Sequence, residues 1–206
     1  MRLFVDSSPH QVIRHVGLCA YRRHFGMFIT PRTSRRPELA LELGMPWAFD
    51  NSAFTHFDEQ DFMRALKRYQ AIPGCTFVCA PDVVGNAAAT LALFAHWQPI
   101  IADMGYPVAL VGQDGLEDLD VPWNAFQAFF IGGTTRWKLS TEARQLALMA
   151  KALGKWVHMG RVSGNGRTRY AQSFCDSIDG TRYARWLYLN REILPYLQTR
   201  QEPLWD

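Results

Sequence analysis

Cysteine is scarce in this chain, and what there is forms no working pattern. Only four of the 206 residues are cysteine. Cys19, Cys75, Cys79 and Cys175 make no CxxC pair and no cysteine–histidine cluster with zinc spacing, so they read as reduced, mostly buried thiols and no metal site is expected. Long apolar runs are missing as well: no stretch approaches the roughly 20 uninterrupted apolar residues of a membrane span. Met1-Arg2-Leu3-Phe4-Val5-Asp6 meets an acid before a signal-peptide core could form. A soluble, cytoplasmic protein with no membrane partner is the expectation. An excess of one charge is also lacking, with 22 Lys and Arg against 19 Asp and Glu for a net charge of +3. That balance is too even to diagnose nucleic-acid binding by itself. The dinucleotide fingerprint GxGxxG does not follow the first strand, where the chain has Asp6-Ser7-Ser8-Pro9, and GxxxxGK[ST] occurs nowhere.

Hydrophobic residues, in contrast, are plentiful at 48%, enough for one core in a chain too short to favour two domains, so residues 1–206 are expected to form a single domain. Short strand-like runs fall near 3–6, 27–30, 46–49, 76–80, 108–112, 128–131, 156–159 and 173–176. Helical patterns separate them. Asp58 can cap a helix carrying Phe62, Ala65, Leu66 and Tyr69 on one face, and Ser140 one carrying Leu146, Met149, Ala150 and Leu153, closed by Gly154. Pro99 should kink or shorten a helix over 87–104, and a last helix over 183–199 should pack Trp186, Leu189, Ile193 and Leu197 inward. Eight strand–helix repeats predict a compact α/β (β/α)8 barrel, with an open doubly wound sheet as the alternative.

Six of the runs stop at a carboxylate, an amide or glycine: Asp50, Asp82, Gln113, Gly132-Gly133, Gly160 and Asp176. In parallel sheets the carboxyl ends of the strands are where sites are built. Asp50 and Asp176, facing each other across a barrel mouth, would suit a reaction at an anomeric carbon, one carboxylate attacking and the other handling protons. Asp82, Gln113 and the amides at Gly132 and Gly133 could read the edge of a purine. His158 reads as a satisfied histidine of a buried strand rather than a metal ligand. Arginines gather in expected loops, Arg32 to Arg36 and Arg161 to Arg169, where they form either ordinary solvated surface or a rim that tracks phosphates.

In this order the motifs resemble those of the tRNA-guanine transglycosylase superfamily. Phe49-Asp50-Asn51-Ser52-Ala53-Phe54 is similar to its DSGGF, Gln113 falls at its GxxQGG glutamine, Gly132-Gly133 resembles its GG-L-AVGE strand end, and Asp176 with Thr181-Arg182 looks like its DCVLPTR. The family's C-x-C-x-x-C zinc motif is absent, as in the short, zinc-free phage and bacterial members that insert 7-deazaguanines into DNA. The resemblance implies Asp176 as nucleophile at C1′, with Asp179 in reserve, and Asp50 as general acid/base. It implies Asp82, Gln113, Gly132 and Gly133 as base-reading groups; Asn51, His158 and Arg161 are expected beside them, and Arg35, Arg36, Arg167, Arg169 and Arg182 on the polymer. It also implies a partner nucleic acid, DNA rather than tRNA, a 7-deazaguanine such as preQ0 or a derivative, a possible homodimer, and no cofactor. A hydrolase of the same fold and a non-catalytic nucleic-acid-binding barrel are the rivals.

Overall fold

The computed structural model describes residues 1–6, 22–32, 37–180 and 189–198. Their strands are β1 Arg2–Asp6, β2 Phe25–Ile29, β3 Trp47–Phe49, β4 Cys75–Cys79, β5 Val108–Gly112, β6 Ala128–Ile131, β7 Trp156–Met159 and β8 Ser177–Asp179. They pair in parallel, each with its sequence neighbour, and β8 returns to β1 through Leu3 beside Ile178, closing a (β/α)8 barrel. The helices are α1 Glu38–Glu42, α2 Glu59–Tyr69, α3 Ala87–Asp103, α4 Thr135–Lys138, α5 Thr141–Ala152, α6 Asn165–Gln172 and α7 Leu189–Gln198. None is long and apolar enough to cross a membrane among the described residues.

Alternation along each strand divides the apolar residues into two cores. One lies between strands and helices; the other, of Phe4, Phe28, Ala48, Phe77, Cys79, Ala109, Val111 and Ala128, fills the barrel interior. Strands of three to five residues can close such a barrel because large rings occupy its axis. Gly26 makes room for one of them: a Cβ there would lie 2.6 Å from Phe4 Cε1.

Helix α2 starts at the Asp58 cap, whose carboxylate accepts from the Asp61 amide, and buries Phe62, Ala65, Leu66 and Tyr69 as its periodicity predicts. In α5 the Ser140 cap forms, but the buried stripe is Ala143, Ala147 and Ala150, while Met149 and Leu153 are about half exposed. Small residues let this helix lie close to the sheet and turn the long side chains outward. Helix α3 runs through Pro99 to Asp103 without ending early, because Phe94, Trp97 and Ile101 hold it to the barrel on both sides of the lost donor. Ile193 and Leu197 of α7 are buried; Trp186 lies outside the described residues.

The largest departure is at the eighth strand. The run 173–176 is not strand: Phe174 and Cys175 are buried in the connection after α6, and β8 begins at Ser177. A shift of a few residues decides which end of the barrel each aspartate occupies.

Candidate active site

At the carboxyl ends of the strands a cavity of about 70 Å³ opens, walled by Phe28, Phe54, Val84, Val111 and Phe130. Its polar lining is Asp50 after β3, Asp82 after β4, Gln113 after β5, Gly132 after β6, Arg161 after β7 and Asp179 ending β8, with Asn51 beside Asp50. Three carboxylates thus converge on one small mouth.

Asp176 is not among them. It precedes β8 at the amino end of the barrel, where Oδ1 pairs with Lys151 Nζ at 2.5 Å and Oδ2 accepts from the Val157 amide at 2.8 Å. Its own carbonyl accepts from the Arg2 amide. The carboxylate of this segment that reaches the cavity is Asp179, three residues on. Asp176→Ala should therefore lower stability by about 1–2 kcal/mol, by leaving Lys151 and a backbone donor without their acceptor. Urea unfolding checks this, and the cavity chemistry should be unaffected.

The remaining groups hold one another in place. Asn51 donates to the Ala80 carbonyl and to Asp82 Oδ1, both at 2.7 Å, and accepts from the Ala53 amide. Gln113 Nε2 donates to Asp82 Oδ2 at 2.6 Å, while its Oε1 accepts from the Gly85 and Gly133 amides. Gln113 is therefore a tie between three loops with one N–H left to offer, and Asn51 is a support for Asp82. The Gly133 amide, a predicted base reader, is already taken, and its carbonyl accepts from Arg161 Nη2. Gly132 does face the cavity, and a Cβ there would lie 2.7 Å from Gln113 Nε2.

Arg161 has a positive φ of 57°, which turns its side chain over the mouth, with the guanidinium 4.1 Å from the ring centroid of Phe54. Its amide donates to Asp179 Oδ1 at 3.1 Å, and His158 Nε2 meets the same oxygen at 3.0 Å. His158 is fully buried inside the barrel among Phe4, Phe28, Phe77 and Phe130, the nearest ring centroid 4.7 Å away. Behind it Ser177 Oγ bonds both His158 Nδ1 and Trp156 Nε1 at 2.8 Å. The indole can only donate, so the arrangement that uses every donor turns the serine hydrogen to Nδ1 and sets an Nε2 hydrogen toward Asp179. His158 thus stands behind the carboxylate rather than in contact with the cavity.

Burial acts on both Asp50 and Asp82. Burial, reinforced by the charges of Asp179 and Asp82, pushes Asp50 up to about 7, against the pull of the Ser52 and Asn51 amides. Burial also raises Asp82, opposed by its hydrogen bonds from Asn51 and Gln113 and by the charge of Arg161. Asp50 is therefore poised to exchange a proton near neutrality.

Of the arginines expected on a polymer, Arg167 is half-buried at the rim, Arg169 is exposed on α6, and Arg35, Arg36 and Arg182 lie outside the described residues. Lys138 was not visible as a site residue in the sequence; it is buried beside the mouth on α4. No group of three or more His, Cys, Asp or Glu side chains is placed to hold a metal among the described residues.

No protein-family model matches the chain, and no curated protein matches it. It is similar in structure to an HpcH/HpaI aldolase from Desulfitobacterium hafniense DCB-2, with 10% identity over 98% of this chain and 94% of that one and a TM-score of 0.49. It is also similar to the GH113 beta-mannanase AaManA from Alicyclobacillus acidocaldarius in complex with ManMIm, with 12% identity over 77% of this chain and 68% of that one and a TM-score of 0.39. Neither likeness says what this chain acts on.

Proposed function

We propose that the protein is a base-exchanging glycosyltransferase that replaces guanine in nucleic acid, DNA rather than tRNA, with a 7-deazaguanine through a covalent glycosyl–Asp179 intermediate. The observation that carries this reading is the pair of unlike carboxylates on one cavity. Asp179 has one oxygen anchored by His158 and the Arg161 amide, and Asp50 titrates near neutrality beside it.

In the first step Asp179 attacks C1′, the C1′–N9 bond breaks with its electron pair going to the purine, and protonated Asp50 supplies the proton that lets guanine leave. In the second, Asp50 as carboxylate takes a proton from the incoming base, whose nitrogen attacks C1′ and releases Asp179. Asp82 is the base-reading acid, held in position by Asn51 and Gln113. The apolar walls suit a flat heterocycle.

Asp82→Ala should weaken binding of guanine and of 7-deazaguanine by about 1–3 kcal/mol, the cost of removing the partner of a buried polar group. Equilibrium binding of the free bases measures it, and unchanged affinity would remove Asp82 from the pocket.

The reaction itself is tested by incubating the protein with guanine-labelled DNA and, separately, with labelled tRNA, with and without 7-deazaguanine bases, followed by nucleoside analysis. Label release from DNA that depends on added base is the expected result. Release with an abasic product and no dependence on base would make the protein a hydrolase, and binding without release would make it a non-catalytic barrel.

A further inference from the structure

Beside the main cavity, between the segment after β6 and the segment after β7, lies a second recess of about 10 Å³, lined by Lys138, Gly160, Arg161, Val162 and Arg167 among others. Lys138 is only 5% exposed, and its Nζ donates to the Gly160 carbonyl at 2.8 Å. Among the described residues none of Lys138, Arg161 and Arg167 has a carboxylate at ion-pairing distance; the ion pairs there are Arg64–Asp61, Lys151–Asp176 and His158–Asp179. Three cations around one recess repel each other. Burial first, then the charges of Arg161 and Arg167, hold Lys138 down at about 8, with Asp179 and Asp114 only partly offsetting them.

Burying an ammonium whose counter-charges lie beyond ion-pairing distance is costly, and an anion arriving from solvent would relieve both that cost and the repulsion. The recess has room for about one water-sized group, so it fits a single oxygen, with the rest of the anion at its open side. Arg161 lines both cavities, which sets this anion next to whatever meets Asp179. We propose that Lys138, Arg161 and Arg167 form a phosphate-binding subsite, one phosphate oxygen seated against Lys138 and Arg161 and Arg167 bridging the others. Its connection to a sugar at Asp179 rests on the base-exchange reading; the subsite itself does not.

The test is a titration of the full chain with inorganic phosphate, followed by calorimetry and by ³¹P line width, for the parent and for Lys138→Met, Arg167→Gln and Arg169→Gln. Saturable binding is expected, weakened about tenfold or more by either of the first two changes and untouched by the third. Should Lys138→Met fail to fold, the comparison of Arg167→Gln with Arg169→Gln decides. Phosphate that does not saturate, or binds equally to all four proteins, overturns the proposal. Guanosine 5′-monophosphate and a short guanine-containing single strand then separate the two sources of the group. Competition with inorganic phosphate by the strand assigns a diester, and by the mononucleotide alone a monoester; competition by neither overturns the connection to a nucleotide and leaves a subsite for free phosphate. Because the phosphate titration involves no base and no turnover, a failed exchange assay leaves its result standing. Intact exchange without phosphate binding removes only the subsite.

Discussion

Asp179→Asn should reduce turnover by about ten-thousand-fold or more, the scale on which an enzyme loses its nucleophile, while Asp176→Asn should turn over at close to the parent rate. The carboxamide introduced by Asp179→Asn would keep the shape of the side chain but carry no charge to attack C1′, and the covalent intermediate could not form. Binding of the free base should persist, since Asp82 and its supports are untouched. Asp176 sits at the other end of the barrel, engaged by Lys151 and Val157, where no substrate in the mouth can reach it. Trapping with a labelled substrate analogue, followed by peptide mapping, gives the decisive measurement: label on the peptide containing Asp179 but absent from the Asp179→Asn protein. Loss of turnover in Asp176→Asn with activity kept in Asp179→Asn would reverse the assignment.

Much of the barrel was legible because its signals are local. Each of β1 to β7 is a short apolar run within two residues of its expected bounds, and the Asp58 and Ser140 caps form as their side chains predict. The polar residues ending β3, β4 and β5 all reach the mouth for the same reason. The eighth strand escapes local pattern because burial and strand are different properties: Phe174 and Cys175 are as apolar as any strand residue, yet they pack under α6 before the strand begins. In Asp176-Ser177-Ile178-Asp179 both ends are aspartate, and only pairing with β1 and β7 shows which one is at the mouth. Nor could local pattern reveal that Gln113 ties its own loop to two others, or that His158 contacts Asp179 from inside the barrel, since those partners lie 20 to 31 residues away in sequence. Lys138 gave no signal at all, because a lysine after Thr134-Thr135-Arg136-Trp137 looks like ordinary surface until the fold buries it.

Asp50→Asn should slow formation of the glycosyl-enzyme by about 10²- to 10⁴-fold, the usual contribution of a positioned general acid, and should also remove a pH dependence that the parent shows. In the parent, departure of guanine needs Asp50 protonated. With the carboxyl pushed up to about 7, protonated molecules persist near neutral pH, and well above that the single-turnover rate should fall about tenfold per pH unit. The slower Asp50→Asn protein should be flat across the same range. Because the charge of Asp179 helps raise Asp50, Asp179→Asn should move the Asp50 titration downward, which carboxyl ¹³C resonances would report. The linkage to folding has a definite sign. A carboxyl raised from 3.8 binds its proton more tightly in the folded state, so this contribution to stability is full below about 4, declines as pH rises toward about 7, and is flat beyond. The Asp50→Asn protein should lack that decline, so its stability relative to the parent should improve between pH 4 and pH 7, as measured by urea unfolding across that window. A parent whose single-turnover rate is level through pH 7, with Asp50→Asn equally active, would take Asp50 out of proton transfer and leave it a structural acid of the mouth.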